Sequence, residues 1–403
     1  MLAVEEALAR IVAGLAPLPA EWCHLGAARG RVLATDLVAP RDQPPHAISA
    51  MDGYAVRAAD LAGGSATLRQ VGAAPAGGTF EGGVGPGETV RIFTGGRLPP
   101  GADAIALQEN ATVDGDRITL AGRVEPGAYV RPAGLDFKRG DLGLAAGTIL
   151  SARKLGLVAA FNHAWLAVRR KPRVALLATG DELVMPGQAL AAHQVVNSNS
   201  AMLAAMVTAW GGEPCDLGIA ADRPEALAAI VPHLGGIDLL VTVGGASVGE
   251  RDLVRTVLAG HGLQLDFWQI AMRPGKPLMS GRIQGVPMLG LPGNPVSAGV
   301  CAILFVRAVI CALQGLDPAP PEVDAILEAP LGANDRRQDY LRAHASWRDD
   351  GRLGVRPMPK QDSSMLALFA AAGCLIKRAP HAPAAPAGAT VPVLPLAHDP
   401  IGV

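Results

Sequence analysis

The fold is decided by the stretch Arg173-Val174-Ala175-Leu176-Leu177-Ala178-Thr179-Gly180-Asp181-Glu182. Its first six residues read as a nearly uninterrupted apolar run, which is typical of a strand buried on both faces of a sheet. Strand and helix patterns then alternate as far as residue 314. The strands are predicted near 216–219, 237–243, 267–272 and 287–291, and the helices near 199–210, 224–234, after Arg251 and at 296–313. Such alternation predicts a parallel sheet covered on both faces.

The flanking regions have a different texture. Apolar residues at helical spacing predict an amphipathic helix over 1–16 that ends at Pro17, and further helices around 25–33 and 152–161. From 45 to about 150, Gly and Pro recur between short β-prone runs, which predicts a β-rich domain with many turns. After a Pro-rich linker at 317–321, short strand patterns predict a small C-terminal β domain.

Composition excludes several functional classes. The 403 residues include 35 basic and 36 acidic side chains, and aromatic residues make up 4% of the chain, so a nucleic-acid partner is not expected. The five cysteines are odd in number and form no C-x-x-C pair, which favours buried thiols in a reducing compartment. The N-terminus does not resemble a signal peptide. The apolar segment 296–313 contains Arg307 and has no second candidate span beside it, so we predict a core helix and a cytoplasmic, membrane-free protein.

Four distinctive loops follow predicted strands of the central sheet. They are Thr179–Leu183, Gly244–Gly249, Arg273–Pro277 and Leu291–Pro295. The carboxyl ends of parallel strands share one edge, where doubly wound sheets bind ligands. One glycine-rich loop alone is usually a tight turn, but four at one edge indicate an anion site built from backbone N–H groups and helix starts. Asn294 is expected to be an N-cap residue and Pro295 the first residue of its helix.

Two carboxylates accompany these loops. Glu182 lies in the first loop and Asp252 closes the glycine-rich one. Either acid alone is compatible with a solvated surface position or the first turn of a helix. Carboxylates beside a phosphate site are useful when a divalent cation joins them, so the pair indicates Mg²⁺ and a phosphate ester.

The sequence resembles the MoeA/gephyrin E-domain family of molybdopterin molybdenumtransferases from residue 1 to about 365. The resemblance rests on Ser49–Val56, Thr94-Gly95, Asp103–Glu109, Arg131 with Asp136, Thr179–Leu183, Asn199, Gly218-Ile219 with Asp222, Gly244–Asp252, Pro274–Pro277, Leu291–Pro295, Arg342 and Ser363. It implies a multidomain α/β and β fold. A helical N-terminal domain (1–43 with 137–171) would be joined by a β-rich insert (44–136), a three-layer α/β molybdopterin-binding domain with a parallel sheet (172–317) and a small C-terminal β domain (318–403).

The resemblance also implies an activity and its residues. Molybdate would be inserted into adenylylated molybdopterin with Mg²⁺ as cofactor, in a homodimer whose β-rich domain completes the partner's site. Transient contact with other cofactor-biosynthesis proteins would be compatible with this role. The implied catalytic residues are Asp52, Thr94, Asp136, Glu182, Asp222 and Asp252, with Glu182 and Asp252 as metal ligands. The implied substrate-binding residues are Asn199, Gly244, Gly245, Ser247, Gly249, Pro274, Gly275, Pro292, Gly293, Asn294 and Pro295. The implied molybdate-binding residues are Arg273, Lys276, Pro277, Arg342 and Ser363.

Some positions depart from the family pattern. Ala47 and Ile48 stand where many members carry an acidic or amide pair, and Leu135 stands where Glu is frequent. Gln269 replaces a basic residue of some members. Arg273 replaces a Lys, which keeps the positive charge and adds a planar fork suited to oxyanions.

Two other functions share these residues. Gly245-Ala246-Ser247-Val248-Gly249 spells the G-x-S-x-G pattern of a hydrolase nucleophile elbow, with His261, His344 or His381 as the base. No histidine stands in a recognisable motif, which disfavours the hydrolase. A non-enzymatic scaffold is the third class, because the gephyrin branch also organises membrane receptors. Retention of the acidic motif residues favours the enzyme over the scaffold.

Overall fold

The computed structural model describes residues 1–244 and 253–396. These residues form two compact units. One unit consists of residues 1–34, 149–153 and those from 165 onward, and the other consists of residues 35–148 and 154–164.

The N-terminal segment of the first unit contains one helix and one strand. Helix α1 (Val4–Val12) buries Val4, Ala7 and Ile11, which share one helical face. Strand β1 (Ala20–His24) pairs antiparallel with the later strand β12 (Trp165–Arg169). The helix predicted around 25–33 is wrong, since only a 3₁₀ turn forms at Leu25–Ala27. The glycines of this segment disfavour a helix, and Leu33 forms a β-bridge with Val168 instead.

The second unit is rich in β structure, as predicted. Its elements are β2 (Leu37–Val38), β3 (Ile48–Ser49), β4 (Gly53–Val56), β5 (Ser65–Ala74), β6 (Glu88–Ile92), β7 (Ala104–Leu107), β8 (Ala111–Asp114), β9 (Arg117–Ala121), β10 (Val130–Arg131) and β11 (Leu142–Leu144). Six of these strands form one sheet in the order β7-β4-β6-β5-β9-β8. Only glycine fits at Gly53 in strand β4, next to the edge strand β7, because a Cβ there would lie 2.1 Å from the carbonyl oxygen of Ala106. Helix α2 (Ala152–Ala160) precedes β12.

The α/β region is built on a six-stranded sheet. Its elements are β13 (Arg173–Thr179), β14 (Leu183–Val184), β15 (Val195–Val196), α3 (Ser198–Ala209), β16 (Glu213–Ala220), α4 (Pro224–Ala228), β17 (Leu239–Val243), α5 (Leu253–Gly260), β18 (Leu263–Phe267), β19 (Met272–Arg273), β20 (Met279–Ile283), β21 (Val286–Leu291) and α6 (Pro295–Gln314). The sheet order is β16-β13-β17-β21-β20-β18. Strands β16, β13, β17 and β21 are parallel, which confirms the doubly wound arrangement.

The sheet is mixed rather than wholly parallel. Strands β20 and β21 form an antiparallel hairpin, and β18 pairs antiparallel with β20. The hairpin turns at Gln284 and Gly285, and both have positive φ, as a two-residue turn of type I′ requires. The strand predicted at 267–272 is also wrong in its bounds: β18 ends at Phe267, and Met272-Arg273 belongs to a different sheet.

Helix α6 forms the core of the first unit. It is long and apolar enough to cross a membrane, but 83% of its most apolar window is buried within the protein, which confirms a core helix. Phe305, near its middle, is completely buried. Gly299 faces Phe369 of the C-terminal region so closely that a Cβ would lie 2.4 Å from the ring. The helix ends at Gly315, which adopts the left-handed conformation common after helices.

A second six-stranded sheet contains the C-terminal strands. Its elements are β22 (Val323–Leu327), β23 (Gln338–Trp347), β24 (Leu353–Pro357), β25 (Cys374–Arg378) and β26 (Thr390–Pro395), with helix α7 at Leu366–Ala370. Its edge strand is β19 of the α/β region, which pairs parallel with β23. The C-terminal sheet is therefore joined through main-chain hydrogen bonds to a loop of the α/β region.

Replacement of Phe305 by Ala should lower the free energy of unfolding by about 3–5 kcal/mol, because it leaves a cavity among side chains that cannot collapse to fill it. Unfolding in urea, followed by circular dichroism, measures the loss. The control is Trp347→Ala, whose side chain is largely exposed, with 78% of the residue accessible, and which should change stability by less than about 0.5 kcal/mol. Equal losses for both variants would contradict the role of α6 in the core.

Candidate functional site

A cavity of about 1090 Å³ opens at the carboxyl ends of the parallel strands, entirely within the first unit. Strands β16 and β17 flank β13 on opposite sides, so the connections after β13 and β17 diverge here, which is where doubly wound sheets bind ligands. The lining includes most of the site residues predicted for this unit: Glu182, Asn199, Asp222, Gly244, Arg273, Pro274, Gly275, Lys276, Pro277, Pro292, Gly293, Asn294, Pro295 and Ser363.

The main chain of the connection after β13 lies in direct contact with the main chain of the connection after β17. Gly244 has a φ of +97°, and a Cβ there would lie 2.4 Å from the carbonyl oxygen of Thr179. A side chain at this position would force the two connections apart. The remainder of the glycine-rich loop, with the predicted residues Gly245, Ser247, Gly249 and Asp252, lies outside the described residues.

Hydrogen bonds join the start of α6 to its neighbours. Asn294 occupies the N-cap position and Pro295 the first helical turn, as predicted, but the Asn294 side chain does not cap the helix. Its Nδ2 donates to Ser363 Oγ at 2.8 Å, and Val296 N donates to Ser363 O at 3.1 Å. Asn199 Nδ2 donates to Gly293 O at 2.7 Å. These bonds fix three separate chain segments on one wall of the cavity.

Acidic side chains line the cavity beside β13 and β16. Glu182 and Asp222 line it, and Asp222 N donates to Asp181 Oδ1 at 3.0 Å. Although Asp222 as a residue is exposed, partial burial of its carboxyl raises its pKa, and the charges of Asp181 and Glu182 raise it further. The carboxylates of Asp181, Glu182 and Asp222 therefore place like charges close together on this side of the cavity. Within residues 1–244 and 253–396, no three His, Cys, Asp or Glu side chains are arranged as a preformed metal site.

Basic side chains line the cavity on the side of the C-terminal sheet. Arg273 is already paired: its Nε donates to Asp339 Oδ1 at 2.9 Å, a second nitrogen contacts Asp339 Oδ2, and its Nη1 lies 3.4 Å from Asp335 Oδ2. Lys276 has no hydrogen-bonding or ionic partner for its ammonium group among the described residues. The free cation of this wall is therefore Lys276 rather than Arg273.

Arg337 also lines the cavity, and the sequence analysis missed it. Its Nη2 donates to Asp335 Oδ2 at 2.9 Å. Arg337, and more weakly Arg273, hold the pKa of Asp335 at about 2. A signal for Arg337 was present in the sequence. The pair Asn334-Asp335 is typical of a turn, and it directly precedes Arg336 and Arg337.

Arg342 is not among the residues that line the cavity. It is 1% exposed, and its guanidinium donates to the carbonyl oxygens of Asp362 at 2.8 Å and Lys360 at 3.3 Å. Burial lowers the pKa of Arg342, and the nearby Asp362 carboxylate opposes that shift. In this structure Arg342 therefore supports the segment that presents Ser363 to the cavity.

Asp52, Thr94 and Asp136 lie in the second unit. Asp52 Oδ1 accepts hydrogen bonds from Thr94 N at 2.7 Å and Thr94 Oγ1 at 2.8 Å. These bonds lower the pKa of Asp52, and the charge of Arg91 adds to the effect. Arg91 itself stacks between the rings of Tyr54 and Phe93, 5.1 and 4.8 Å from their centroids. The result is an ionised carboxylate with one oxygen occupied. Asp136 is exposed, and its N donates to Gln43 O at 2.9 Å.

The histidines proposed for a serine hydrolase do not support that function. His261, His344 and His381 are exposed and are absent from the described lining of the cavity. The proposed nucleophile Ser247 lies outside the described residues.

Comparisons with known proteins cover nearly the whole chain. Residues 2–162 match the family described as MoeA N-terminal region (domain I and II), residues 175–311 match "probable molybdopterin binding domain", and residues 324–396 match MoeA C-terminal region (domain IV). The chain is 34% identical to a molybdopterin molybdenumtransferase of Haemophilus influenzae over 403 residues, which is 99% of both chains. It is 37% identical to one from Nostoc sp. over 331 residues, covering 80% of this chain and 76% of that one.

Solved structures agree. Two structures of molybdopterin biosynthesis MoeA proteins from Pyrococcus match with TM-scores of 0.85 and 0.83, at 28% and 26% identity. The matches cover 99% and 98% of this chain and 100% of both Pyrococcus chains.

Asp222→Asn should raise the thermal unfolding midpoint at pH 7 by about 1 °C, because exposed like-charge contacts are worth on the order of 0.5 kcal/mol. The folded-state pKa of Asp222 is raised, so the contribution of this group to stability is fully present below its unfolded value of 3.8 and is lost as pH rises through the folded value. Asn mimics the protonated form. The gain should therefore shrink as pH falls towards 4, as thermal scans across that range would reveal.

The matched control is Asp114→Asn, at the exposed end of strand β8 in the second unit, which should show no such gain. A gain for Asp222→Asn that persists unchanged at pH 4 would contradict electrostatic repulsion as its cause.

Proposed function

Because this chain belongs to the MoeA family of molybdopterin molybdenumtransferases, we propose that it inserts molybdate into adenylylated molybdopterin, releasing AMP and completing the molybdenum cofactor. The observation that carries this proposal is the division of charge in the cavity. A lysine with no ionic partner among the described residues lies on the wall nearest the C-terminal sheet, and the carboxylates of Glu182 and Asp222 lie beside β13 and β16. A substrate pair of a small dianion and a metal-bound phosphate matches that division.

The basic wall suits molybdate, which is a tetrahedral dianion. Lys276 supplies the positive charge, and the Ser363 hydroxyl supplies a hydrogen-bond donor held by Asn294. Gly275 adopts a positive-φ conformation and packs against Cys301. This contact helps to fix the position of the loop beside Lys276. Burial raises the pKa of the Cys301 thiol, which keeps this cysteine from acting as a thiolate ligand. The pterin dithiolene supplies the sulfur ligands of the metal.

The acidic wall suits a phosphate-bound Mg²⁺. Glu182 and Asp222 offer the hard oxygen ligands that Mg²⁺ prefers. Partial burial raises the pKa of Asp222, and the charges of Asp181 and Glu182, which a cation would offset, raise it further. Bound Mg²⁺ would polarise the phosphoanhydride bond that joins AMP to the pterin phosphate. Asp252, the other proposed ligand, lies outside the described residues. A carboxylate of this wall would also orient the attacking water.

We further propose a cytoplasmic homodimer with four domains per subunit, in which the β-rich domain of each subunit completes the other's site. The support is the family itself and the state of Asp52. Its Oδ1 is held by Thr94, while its Oδ2 has no hydrogen-bonding partner among the described residues. An ionised carboxylate with a free oxygen is ready to bind a metal or a substrate donor. Asp136 is proposed to contribute in the same way.

The direct test is to combine purified protein, adenylylated molybdopterin, molybdate and Mg²⁺, and to measure AMP release. Molybdate-dependent release, with formation of a cofactor that activates an apo-molybdoenzyme, is the expected result. Binding of the adenylylated pterin without turnover would overturn the enzyme in favour of a scaffold.

Lys276→Ala should weaken the use of molybdate more than the binding of adenylylated pterin. Loss of a charge-assisted contact costs about 1.5–3 kcal/mol, so the KM for molybdate should rise roughly 10- to 150-fold. Steady-state AMP release at varied molybdate measures it. Lys171→Ala, which removes an exposed lysine, serves as the control. An unchanged molybdate dependence of Lys276→Ala would remove Lys276 from the anion site.

At molybdate far below the raised KM of Lys276→Ala, where the Asp52→Ala and Lys276→Ala homodimers each release little AMP, a mixture of the two should recover about a quarter of wild-type AMP release. Random exchange gives about half mixed dimers, and a shared site leaves one of the two sites in each mixed dimer intact. Two affinity tags verify the exchange. A verified mixed dimer that releases no AMP would show that both residues serve the site of one subunit.

A further inference from the structure

We propose that Asp339 is a positioning residue for the loop Arg273–Pro277 and that it acts through Arg273. This inference rests on the proposed function, because it assigns the loop to molybdate. Asp339 lies on β23 of the C-terminal sheet, whereas the loop belongs to the α/β region. Neither the motif positions nor the family resemblance assigned Asp339 a role.

The main chain provides the first link between the two segments. Met272 pairs with Gln338 and Arg273 with Asp339 in a parallel ladder, and Gln338 N donates to Ala271 O at 2.9 Å. The loop therefore leaves directly from a strand of the C-terminal sheet. Its first residue, Arg273, is fixed in register opposite Asp339.

The side chains provide the second link. The guanidinium of Arg273 meets both carboxylate oxygens of Asp339, with Nε to Oδ1 at 2.9 Å. Such a two-point planar contact fixes orientation as well as position. Asp339 is only 3% exposed, so its carboxylate depends on this partner for compensation of its charge. Asp335 adds a longer contact, 3.4 Å from Arg273 Nη1.

The two basic residues of this loop, Arg273 and Lys276, therefore have different roles in the anion site. Arg273 cannot turn fully towards a ligand without leaving the buried carboxylate of Asp339 unpaired. Its positive charge therefore serves to hold the start of the loop in place. Lys276 follows three residues later and keeps its ammonium free among the described residues. The position of that ammonium is set by a short loop whose start is fixed by Asp339 and whose middle is packed on Cys301 through Gly275.

Asp339→Asn is the first test, because it is nearly isosteric but removes the charge that holds Arg273. We expect the KM for molybdate to rise about tenfold in AMP-release assays, while kcat at saturating molybdate and the KM for adenylylated pterin change less than about twofold. Asp350→Asn is the control, and its molybdate KM should change less than about twofold, because Asp350 is exposed in the turn after β23 and pairs with Arg348 and Arg352 away from the cavity. A molybdate KM for Asp339→Asn within twofold of wild type would overturn the proposal.

A double variant separates positioning from folding. Asp339→Ala alone leaves Arg273 with only its longer contacts to Asp335 and Asn334, whereas Asp339→Ala with Arg273→Ala removes both members of the pair. We expect the double variant to regain thermal stability relative to Asp339→Ala but to keep a raised molybdate KM. Recovery of the wild-type KM in the double variant would show that Asp339 only neutralises Arg273 and would overturn the proposal.

Calorimetric titration with molybdate alone keeps this inference distinct from the proposed function. If the wild type binds molybdate but releases no AMP, the enzymatic proposal fails, and a weaker molybdate affinity of Asp339→Asn still supports the positioning role. If the wild type and Asp339→Asn bind molybdate equally, the positioning role fails even when AMP release is intact.

Discussion

Burial of helix α6 is the constraint on which the first unit depends. Its apolar residues pack against the α/β sheet, helix α1 and the C-terminal side chains Tyr340, Phe369 and Leu375 in a single core. The hydrophobic effect that buries α6 also determines where its first turn lies, at the edge of the cavity. Pro295 and Asn294 are consequently presented to a ligand by an element that cannot move without opening the core.

The cavity combines two electrostatic environments that are built by different means. The acidic wall brings the like charges of Glu182 and Asp222 together, and partial burial, with the charges of Asp181 and Glu182, raises the pKa of Asp222. The basic wall is partly neutralised, since Arg273 and Arg337 are paired with Asp335, and Arg273 also with Asp339. This pairing leaves Lys276 as the free cation among the described residues. A site that holds one anion tightly gains selectivity when its other cations serve as fixed supports, because an excess of free charge binds any oxyanion.

Much of the fold could be predicted from the sequence. The buried run at 173–178 and the apolar segment at 296–313 indicate burial directly, and the structure confirms both. The hairpin at 284–285 was missed because Gln-Gly is a weaker turn signal than Asn-Gly. The helix predicted over 224–234 is interrupted, because Pro232 leads into a 3₁₀ turn at Val231–Leu234.

The candidate site was less fully predictable than the fold. Sequence motifs brought Glu182, Asp222, Lys276 and Asn294 to one cavity, since strand ends of a parallel sheet converge. They could not show that Arg273 is engaged by Asp339, because this contact depends on the pairing of β19 with β23 across 66 residues. They also could not show that Arg342 is buried behind the 360–364 segment. A pairing between charged groups that are far apart in the chain cannot be recognised from the residues around either group.

The packing of Phe369 over Gly299 has a consequence for whether the α/β region and the C-terminal sheet can exist separately. The ring occupies the space that a side chain on α6 would need, and the same C-terminal segment supplies Ser363 to the cavity wall. The α/β region and the C-terminal sheet therefore pack against each other as interlocking parts of one unit and not as independent modules. A fragment that ended after residue 317 would leave the space over Gly299 unfilled and strand β19 without its partner β23. The C-terminal region therefore completes both the interior and the wall of the cavity.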